Sequence, residues 1–321
     1  MITLDDLRTA HARIRPHIHR TPVLTNQTIN QLAGSDLFFK CENFQKIGAF
    51  KARGGLNAVL QLTPDERKNG VTTHSSGNHA QAIAYAARQV GIRAIIVMPR
   101  TAPQVKKEAV RGYGAEVIEC EPTLEARENG VREIIARTGA ALVHPFDDDR
   151  VIAGQATAAI ELIEDYGQIW PSTDIRPFDV IMAPVGGGGL LSGTALATHY
   201  LSPQTRVVAG EPAGAADAVL SFRSGRVEVA PFVNTIADGL LTNLSERTLG
   251  IIRQHVADIL VVDDAEIIAA MRLIWERMKI IIEPSCAVPL AALLKHREQF
   301  AGQKVGIILT GGNVDLGKLP F

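Results

Sequence analysis

The sequence predicts an α/β protein with mostly parallel sheet, and three observations predict it. Short apolar runs alternate with runs of helical length from about Leu37 onward. The runs densest in glycine and polar side chains fall where strands end, which is where ligands sit in such sheets. With 321 residues, 46% hydrophobic and 21% charged, the chain outgrows one small core and suits two lobes or one large domain.

In chain order, "DLFFKCE" reads as a strand. "NHAQAIAYAARQVG" reads as a helix with small residues on one face and Gly91 as its stop. "RAIIVMP", "AEVIEC" and "ALVHPF" read as strands, and "VIAGQATAAIELIEDYG" as a helix. "FDVIMAPV" is a buried strand and "LLSGTALATHY" a helix start, with Gly186–Gly189 between them. "RVVAGEP" is a strand, "DAEIIAAMRLIWERMKI" and "SCAVPLAALLKHREQF" are helices, and "KVGIILTGGN" is a last strand. No repeat or long linker interrupts this order, so a division into lobes must be discontinuous or subtle.

Bulk properties exclude several function classes. A net charge of −1 gives no basic surface for nucleic acid or an anionic membrane. No apolar run reaches the ~18 residues of a membrane span. "MITLDDLRTAHARIR" lacks the features of a signal peptide. Cys41, Cys120 and Cys286 have neither disulfide-framework nor zinc spacing, which suits a reducing cytoplasm.

Four consecutive glycines between a strand and a helix put free N–H groups and a helix dipole where an anion can sit. No "GK[ST]" follows, and the spacing is not G-x-G-x-x-G. A small terminal phosphate fits, and so does a tight turn without a ligand. Lys51 lies between Phe50 and Ala52 in a glycine-rich run. Such a lysine can lose its proton and form a Schiff base, whereas a surface lysine would simply snorkel. Lys40 and Lys46 are its nearby competitors. Ser75, Ser76, Gly77, Asn78 and His79 stand at a helix start. They read either as N-caps or as a carboxylate site. An imine lysine, a phosphate cradle and a carboxylate loop together point to pyridoxal phosphate acting on an amino acid.

"FKARGGLNA", "SSGNHAQA", "PVGGGGLLSG", "EPSCAVPLAAL" and "LTGGNVDL", in this order, resemble the fold-type II pyridoxal-phosphate enzymes. The similar branch is that of serine/threonine dehydratases, serine racemases and 3-hydroxyaspartate ammonia-lyases. The resemblance implies a tryptophan synthase β-like fold in two lobes, each a mostly parallel twisted sheet flanked by helices. Residues 1–69 plus 148–321 would form the large cofactor-binding domain and 70–147 the small one. It implies Lys51 as Schiff-base lysine and proton carrier, Gly186, Gly187, Gly188 and Gly189 on the phosphate, and Phe50 beside the ring. Asn78 would bond the ring hydroxyl and Thr310 would face the pyridine nitrogen. A neutral hydroxyl there suits β-elimination, in which the departing hydroxyl takes the electrons.

Ser75, Ser76, Asn78 and His79 would hold the substrate. Ser76 stands where many threonine dehydratases have alanine, and in the racemase-like branch this serine is a second acid/base opposite the lysine. Phe146 stands where mammalian-type racemases have asparagine. Ile47 and Ala49 replace the usual threonine and serine near the racemases' nucleotide site. Arg127 aligns with an arginine that can hold a second substrate carboxylate, although a helical i,i+4 pair is the plainer reading. Thr242 would lie on the same side. Glu211, the Ala215 carbonyl and Asp217 match a Mg²⁺, Mn²⁺ or Ca²⁺ site, although loop carboxylates are often merely solvated. A homodimer is implied, and isoleucine feedback is not, because no regulatory module follows "GGNVDLGKLPF". The expected activity is β-elimination of 3-hydroxyaspartate, L-serine or L-threonine. A racemase with elimination as a side reaction is the alternative, and a non-catalytic binding protein the second.

Overall fold

The computed structural model describes residues 2–169 and 178–321. Among these, ten strands form two sheets. The larger has the order β1 (Val23–Leu24), β2 (Asp36–Cys41), β10 (Lys304–Leu309), β7 (Val180–Pro184), β8 (Arg206–Pro212), β9 (Asp258–Val262). All its neighbours run parallel except β1, which pairs antiparallel with β2. The smaller has the order β5 (Glu116–Cys120), β4 (Ala94–Pro99), β3 (Val71–His74), β6 (Ala141–Leu142), all parallel. The chain enters the large sheet, crosses to the small one for residues 71–142, and returns. Helices cover both sheets, so the central strands are continuous apolar runs. Val305 to Leu309 of β10 and all of β7 are buried.

Close backbone contacts fix the helix that carries Lys51. Lys51–Leu60 lies between the helices Asn78–Val90 and Asp149–Ile169. A Cβ on Gly54 would sit 2.9 Å from the Val151 carbonyl, and one on Gly154 would sit 2.6 Å from the Gly54 Cα. One on Gly55 would sit 3.0 Å from the Ala82 Cβ. Any larger residue would push the helices apart, which explains the pair of glycines after the lysine.

Beneath this helix runs a buried ionic network. Arg53 is fully buried and binds Glu42 through Nε (2.7 Å) and Glu161 through Nη2 (2.7 Å). Lys40 binds Glu161 (2.8 Å), Asp165 (3.2 Å) and the Thr21 carbonyl (2.7 Å). Each buried charge is matched by opposite charge and hydrogen bonds, without which burial would be prohibitive.

Two expected elements come out shorter. Of "ALVHPF" only Ala141–Leu142 is strand. Pro145 has no N–H for a ladder, and His144 Nδ1 accepts the N–H groups of Phe146 (3.4 Å) and Asp147 (2.9 Å) to make a turn. The helix over "SCAVPLAALLKHREQF" ends at Lys295, and Arg297–Phe300 is a 3₁₀ turn. No described helix is long and apolar enough to cross a membrane. All three cysteines are free.

Candidate active site

Three lysines compete by sequence, and their surroundings separate them. Lys40 is held against Glu161 and Asp165 in the buried network. Lys46 is half-buried, on a 3₁₀ turn. Lys51 has no carboxylate partner among the described residues. Its Nζ donates to the Pro145 carbonyl at 2.9 Å and lies 5.3 Å from the centre of the Phe50 ring. Burial lowers its pKa to about 8. An amine that sheds its proton near neutral pH is a nucleophile.

The Pro145 carbonyl links the lysine to the glycine turn, because Phe146 lies against that turn. A Cβ on Gly187 would collide with the Phe146 ring, and one on Gly189 would sit 3.0 Å from the Phe146 Cβ. One on Gly186 would sit 2.9 Å from the Leu240 Cα. Gly188 has φ +86°, and its Cβ would sit 2.7 Å from Leu244. No side chain caps the helix Gly189–Leu201 that follows. Its first N–H groups are thus left for an anion. Thr242 is half-buried, between Leu240 and Leu244, which touch the turn.

The helix Asn78–Val90 begins after Gly77, which makes no side-chain cap. The serines therefore do not act as simple N-caps. Ser75 Oγ accepts the Gly77 N–H at 3.2 Å, while no hydrogen bond ties the Ser76 hydroxyl among the described residues. The His79 ring is buried, with Nε2 3.2 Å from the Val143 carbonyl and Nδ1 without a partner among the described residues. Burial, with Lys51 nearby, holds its pKa well below the ordinary value. Only the backbone of His79 is thus presented at the helix start.

Asn78 is fixed by two residues the sequence reading did not single out. Its Nδ2 donates to Glu283 Oε1 at 2.7 Å, and its Oδ1 accepts from Asn313 Nδ2 at 2.9 Å. Glu283 is buried, and burial with Asp238 nearby pushes its pKa up to about 7. Both lie in quoted motifs, "EPSC" and "GGN", so the signal was present. Thr310 is buried at the end of β10; its carbonyl accepts the Phe50 N–H at 2.9 Å. Its side chain faces the Cys286 thiol. Lysine, glycine turn, Asn78 and Thr310 thus gather at the carboxyl ends of β3, β7 and β10.

Arg127 is half-buried on the helix Leu124–Thr138. Its Nε donates to the Thr123 carbonyl at 3.3 Å, and no carboxylate pairs with it among the described residues. Glu128 instead meets Arg132, at 3.7 Å. Glu211, in β8, and Asp217, at the start of the helix Asp217–Ser224, are both buried. Glu211 accepts the N–H groups of Ala218 (2.6 Å) and Val219 (2.9 Å), and burial pushes its pKa up to about 8. Asp217 is pushed up to about 6 by burial, and its Oδ2 has no partner among the described residues. Among the described residues no three His, Cys, Asp or Glu side chains cluster for a metal.

The family model for "Pyridoxal-phosphate dependent enzyme" matches residues 14–311. The chain belongs to this family. It is 50% identical over 319 residues, 99% of this chain and 98% of the relative, to β-hydroxyaspartate dehydratase of Paracoccus denitrificans. It is 45% identical over 315 residues, 98% and 94% of the two chains, to L-threo-3-hydroxyaspartate ammonia-lyase of Saccharomyces cerevisiae. The crystal structure of serine racemase from Dictyostelium discoideum superposes with a TM-score of 0.91 at 49% identity, covering 98% of this chain and 99% of that one. The fold is thus the fold-type II pattern of two mostly parallel sheets flanked by helices.

The residues present fit the family's cofactor. The glycine turn is a cradle any Cβ would fill, and Lys51 is an amine with no carboxylate partner among the described residues and a lowered pKa. When bound, pyridoxal phosphate supplies a carbonyl that condenses with amines and a ring that stabilises negative charge at an amino acid's α-carbon.

Proposed function

We propose that the protein catalyses pyridoxal-phosphate-dependent β-elimination of a β-hydroxy-α-amino acid, with 3-hydroxyaspartate ahead of L-serine and L-threonine. Elimination releases water and leaves the imine, and hydrolysis of the imine takes up that water and gives the 2-oxo acid and ammonia. The observation that carries this reading is Lys51: an amine with no acidic partner, joined through Pro145 and Phe146 to the glycine turn. In this reading Lys51 holds the cofactor and takes the α-proton. Gly186–Gly189 hold the phosphate, Asn78 the ring hydroxyl and Phe50 the ring flank. The Thr310 hydroxyl faces the pyridine nitrogen. Ser75, Ser76 and the N–H groups opening the helix at Asn78 hold the α-carboxylate. Arg127 holds a second carboxylate, and Thr242 is assigned to the same part of the substrate site.

The free Ser76 hydroxyl favours a second reading, amino-acid racemisation, because it could exchange a proton on the face opposite Lys51. The relatives named serine racemase support the same alternative. Glu211, Asp217 and the Ala215 carbonyl are proposed to hold Mg²⁺, Mn²⁺ or Ca²⁺; the unpartnered Asp217 Oδ2 and two buried carboxyls of raised pKa support this. The division into 1–69 plus 148–321 and 70–147 is likewise proposed, supported by strands β3 to β6 all lying within 71–142. Free cysteines support a cytoplasmic setting, while a homodimer rests on the family resemblance.

Lys51→Ala tests the reading directly. The variant should release no keto acid or ammonia from L-serine, L-threonine or any 3-hydroxyaspartate isomer, while the native protein turns over at least one of them. Turnover by the variant at the native rate would refute the assignment. Enantiomer ratios followed in the same assay separate elimination from racemisation.

A further inference from the structure

Two histidines lie at the far ends of the two helices that frame the glycine turn, and the proposed reaction uses neither. The helices Gly189–Leu201 and Glu246–His255 pack side by side, and both start beside that turn. A Cβ on Gly188 would sit 2.8 Å from the Thr248 Cβ, and Ser192 Oγ donates to the Thr248 carbonyl at 3.5 Å. Seven residues make close to two helical turns, so residues seven apart share a face. Seven on from Ser192 is His199, and seven on from Thr248 is His255. Parallel helices in contact at the first pair meet again at the second: the imidazole centres are 4.5 Å apart, with the rings tilted by 44°. We propose that His199 and His255 form a binding site for one first-row transition-metal ion, Zn²⁺, Cu²⁺ or Ni²⁺, which clips these two helices together, with water in its remaining positions.

Three features suit the pair to a metal. The first is distance. A metal–nitrogen bond of about 2.1 Å puts the ion about 3.2 Å from each ring centre, so two rings sharing one ion, at right-angled to tetrahedral spacing, stand about 4.5–5.2 Å apart. The second is availability. Neither ring makes a hydrogen bond or ion pair within the protein among the described residues. His199 is exposed and His255 half-buried. Burial first, then His199, lowers the His255 pKa, so at neutral pH that ring keeps the lone pair a metal needs. The third is the local field. The two helices end at Leu201 and His255, and the carbonyls left without partners at helix ends favour a cation. Imidazole nitrogens suit zinc, copper and nickel, whereas Mg²⁺ and Ca²⁺ take oxygen ligands. The site therefore differs in chemistry from the one proposed at Glu211 and Asp217. Two protein ligands make it an open site, completed by water.

The test uses the cofactor-loaded protein, stripped with EDTA, dialysed and kept in excess Mg²⁺ so that any oxygen-ligand site is filled. Calorimetric titration with Zn²⁺ should show one ion bound per chain. Changing even an outer-shell partner of a metal site costs about 10–100-fold in affinity, so His199→Ala, which removes a ligand, should weaken binding at least about tenfold. His255→Ala should do the same, and the two losses should not add, since both rings serve one ion. Cu²⁺ in place of Zn²⁺ should give an electron paramagnetic resonance spectrum with coupling to two imidazole nitrogens, reduced to one in His199→Ala. Zn²⁺ should raise the melting temperature of the native protein and leave that of His199→Ala unmoved. His199 is exposed, so its variant keeps the fold even if His255→Ala does not. Unchanged Zn²⁺ affinity in His199→Ala, or displacement of Zn²⁺ by Mg²⁺, overturns the proposal.

Discussion

Gly187→Ala isolates the one contact on which the glycine turn and the lysine both depend. In the structure its Cβ would overlap the Phe146 ring at Cγ, Cδ1 and Cε1, so a small shift at the ring tip cannot relieve the clash. Phe146 must change its χ1, against His144 packed 4.7 Å away, or the turn must move. Overpacking of this kind costs about 1–3 kcal/mol. The unloaded turn is free to relax, so the cost falls mainly on the state whose N–H groups must converge on phosphate. Cofactor affinity should therefore drop about five- to 150-fold. The assay is absorbance or fluorescence titration with pyridoxal phosphate, with thermal melting of the unloaded protein as control. In a Phe146→Ala background the same substitution meets an open space and should cost at least about 1 kcal/mol less. Native affinity in Gly187→Ala, or an equal loss in both backgrounds, would refute the role assigned to this contact.

Glu283→Gln keeps an acceptor for Asn78 and removes a carboxyl whose folded pKa, about 7, lies above the ordinary 4.5. A raised carboxyl stabilises the fold fully below the unfolded pKa and loses that contribution as pH rises through about 7. Native stability should therefore fall from pH 5 to pH 8 by at most about 3 kcal/mol from this group, and melts of the variant should lack that part of the slope. Lys106 and Asp238 pair at 2.5 Å between the helix Gln104–Gly112 and the turn before Leu240. Asp238→Asn should cost under about 1 kcal/mol in denaturant melts, because Asp238 is half exposed. It should raise KM more than it lowers kcat, and remove the salt sensitivity of KM. Added Mg²⁺ at a hundredfold excess over its Kd should stabilise EDTA-treated protein by about 2.7 kcal/mol, and Asp217→Asn should erase the effect; indifference to both would mark Glu211 and Asp217 as structural carboxyls.

Most strands, and the helices Asn78–Val90, Asp149–Ile169, Gly189–Leu201, Asp264–Met278 and Pro284–Lys295, were legible because their periodicity is strong and their surroundings uniform. β10 and β7 are apolar throughout since helices cover both faces. The helix Asn78–Val90 ends at Gly91, with φ +70°, as its composition predicts. β3 went unnamed because "VTTH" carries only one aliphatic residue and its burial comes from neighbours. β6 was overread because apolar character continues through Val143 and Phe146, while the turn is set by Pro145 and the His144 side chain.

The site divides along the same line. Lys51 and the glycines announce themselves locally, because a nucleophile and an anion cradle each need a distinctive stretch of chain. What tells Lys51 from Lys40 does not lie near either in sequence: Lys40 is neutralised by Glu161 and Asp165, more than a hundred residues away. Asn78 looked like a ring-hydroxyl donor, and it is held by Glu283 and Asn313, over 200 residues on. Residue type thus limits which chemistry a position could perform, whereas protonation state depends on partners the fold brings in. That separation has a consequence for substrate choice. In the proposed reaction the β-hydroxyl leaves once Lys51 has taken the α-proton, so that step rests on the lysine. In the proposed reading, which amino acid reaches that point is decided elsewhere, at Arg127 on the helix Leu124–Thr138. Substitutions there should redistribute activity among hydroxy amino acids while the cofactor absorbance stays in place, and substitutions at Lys51 or the glycines should do the reverse.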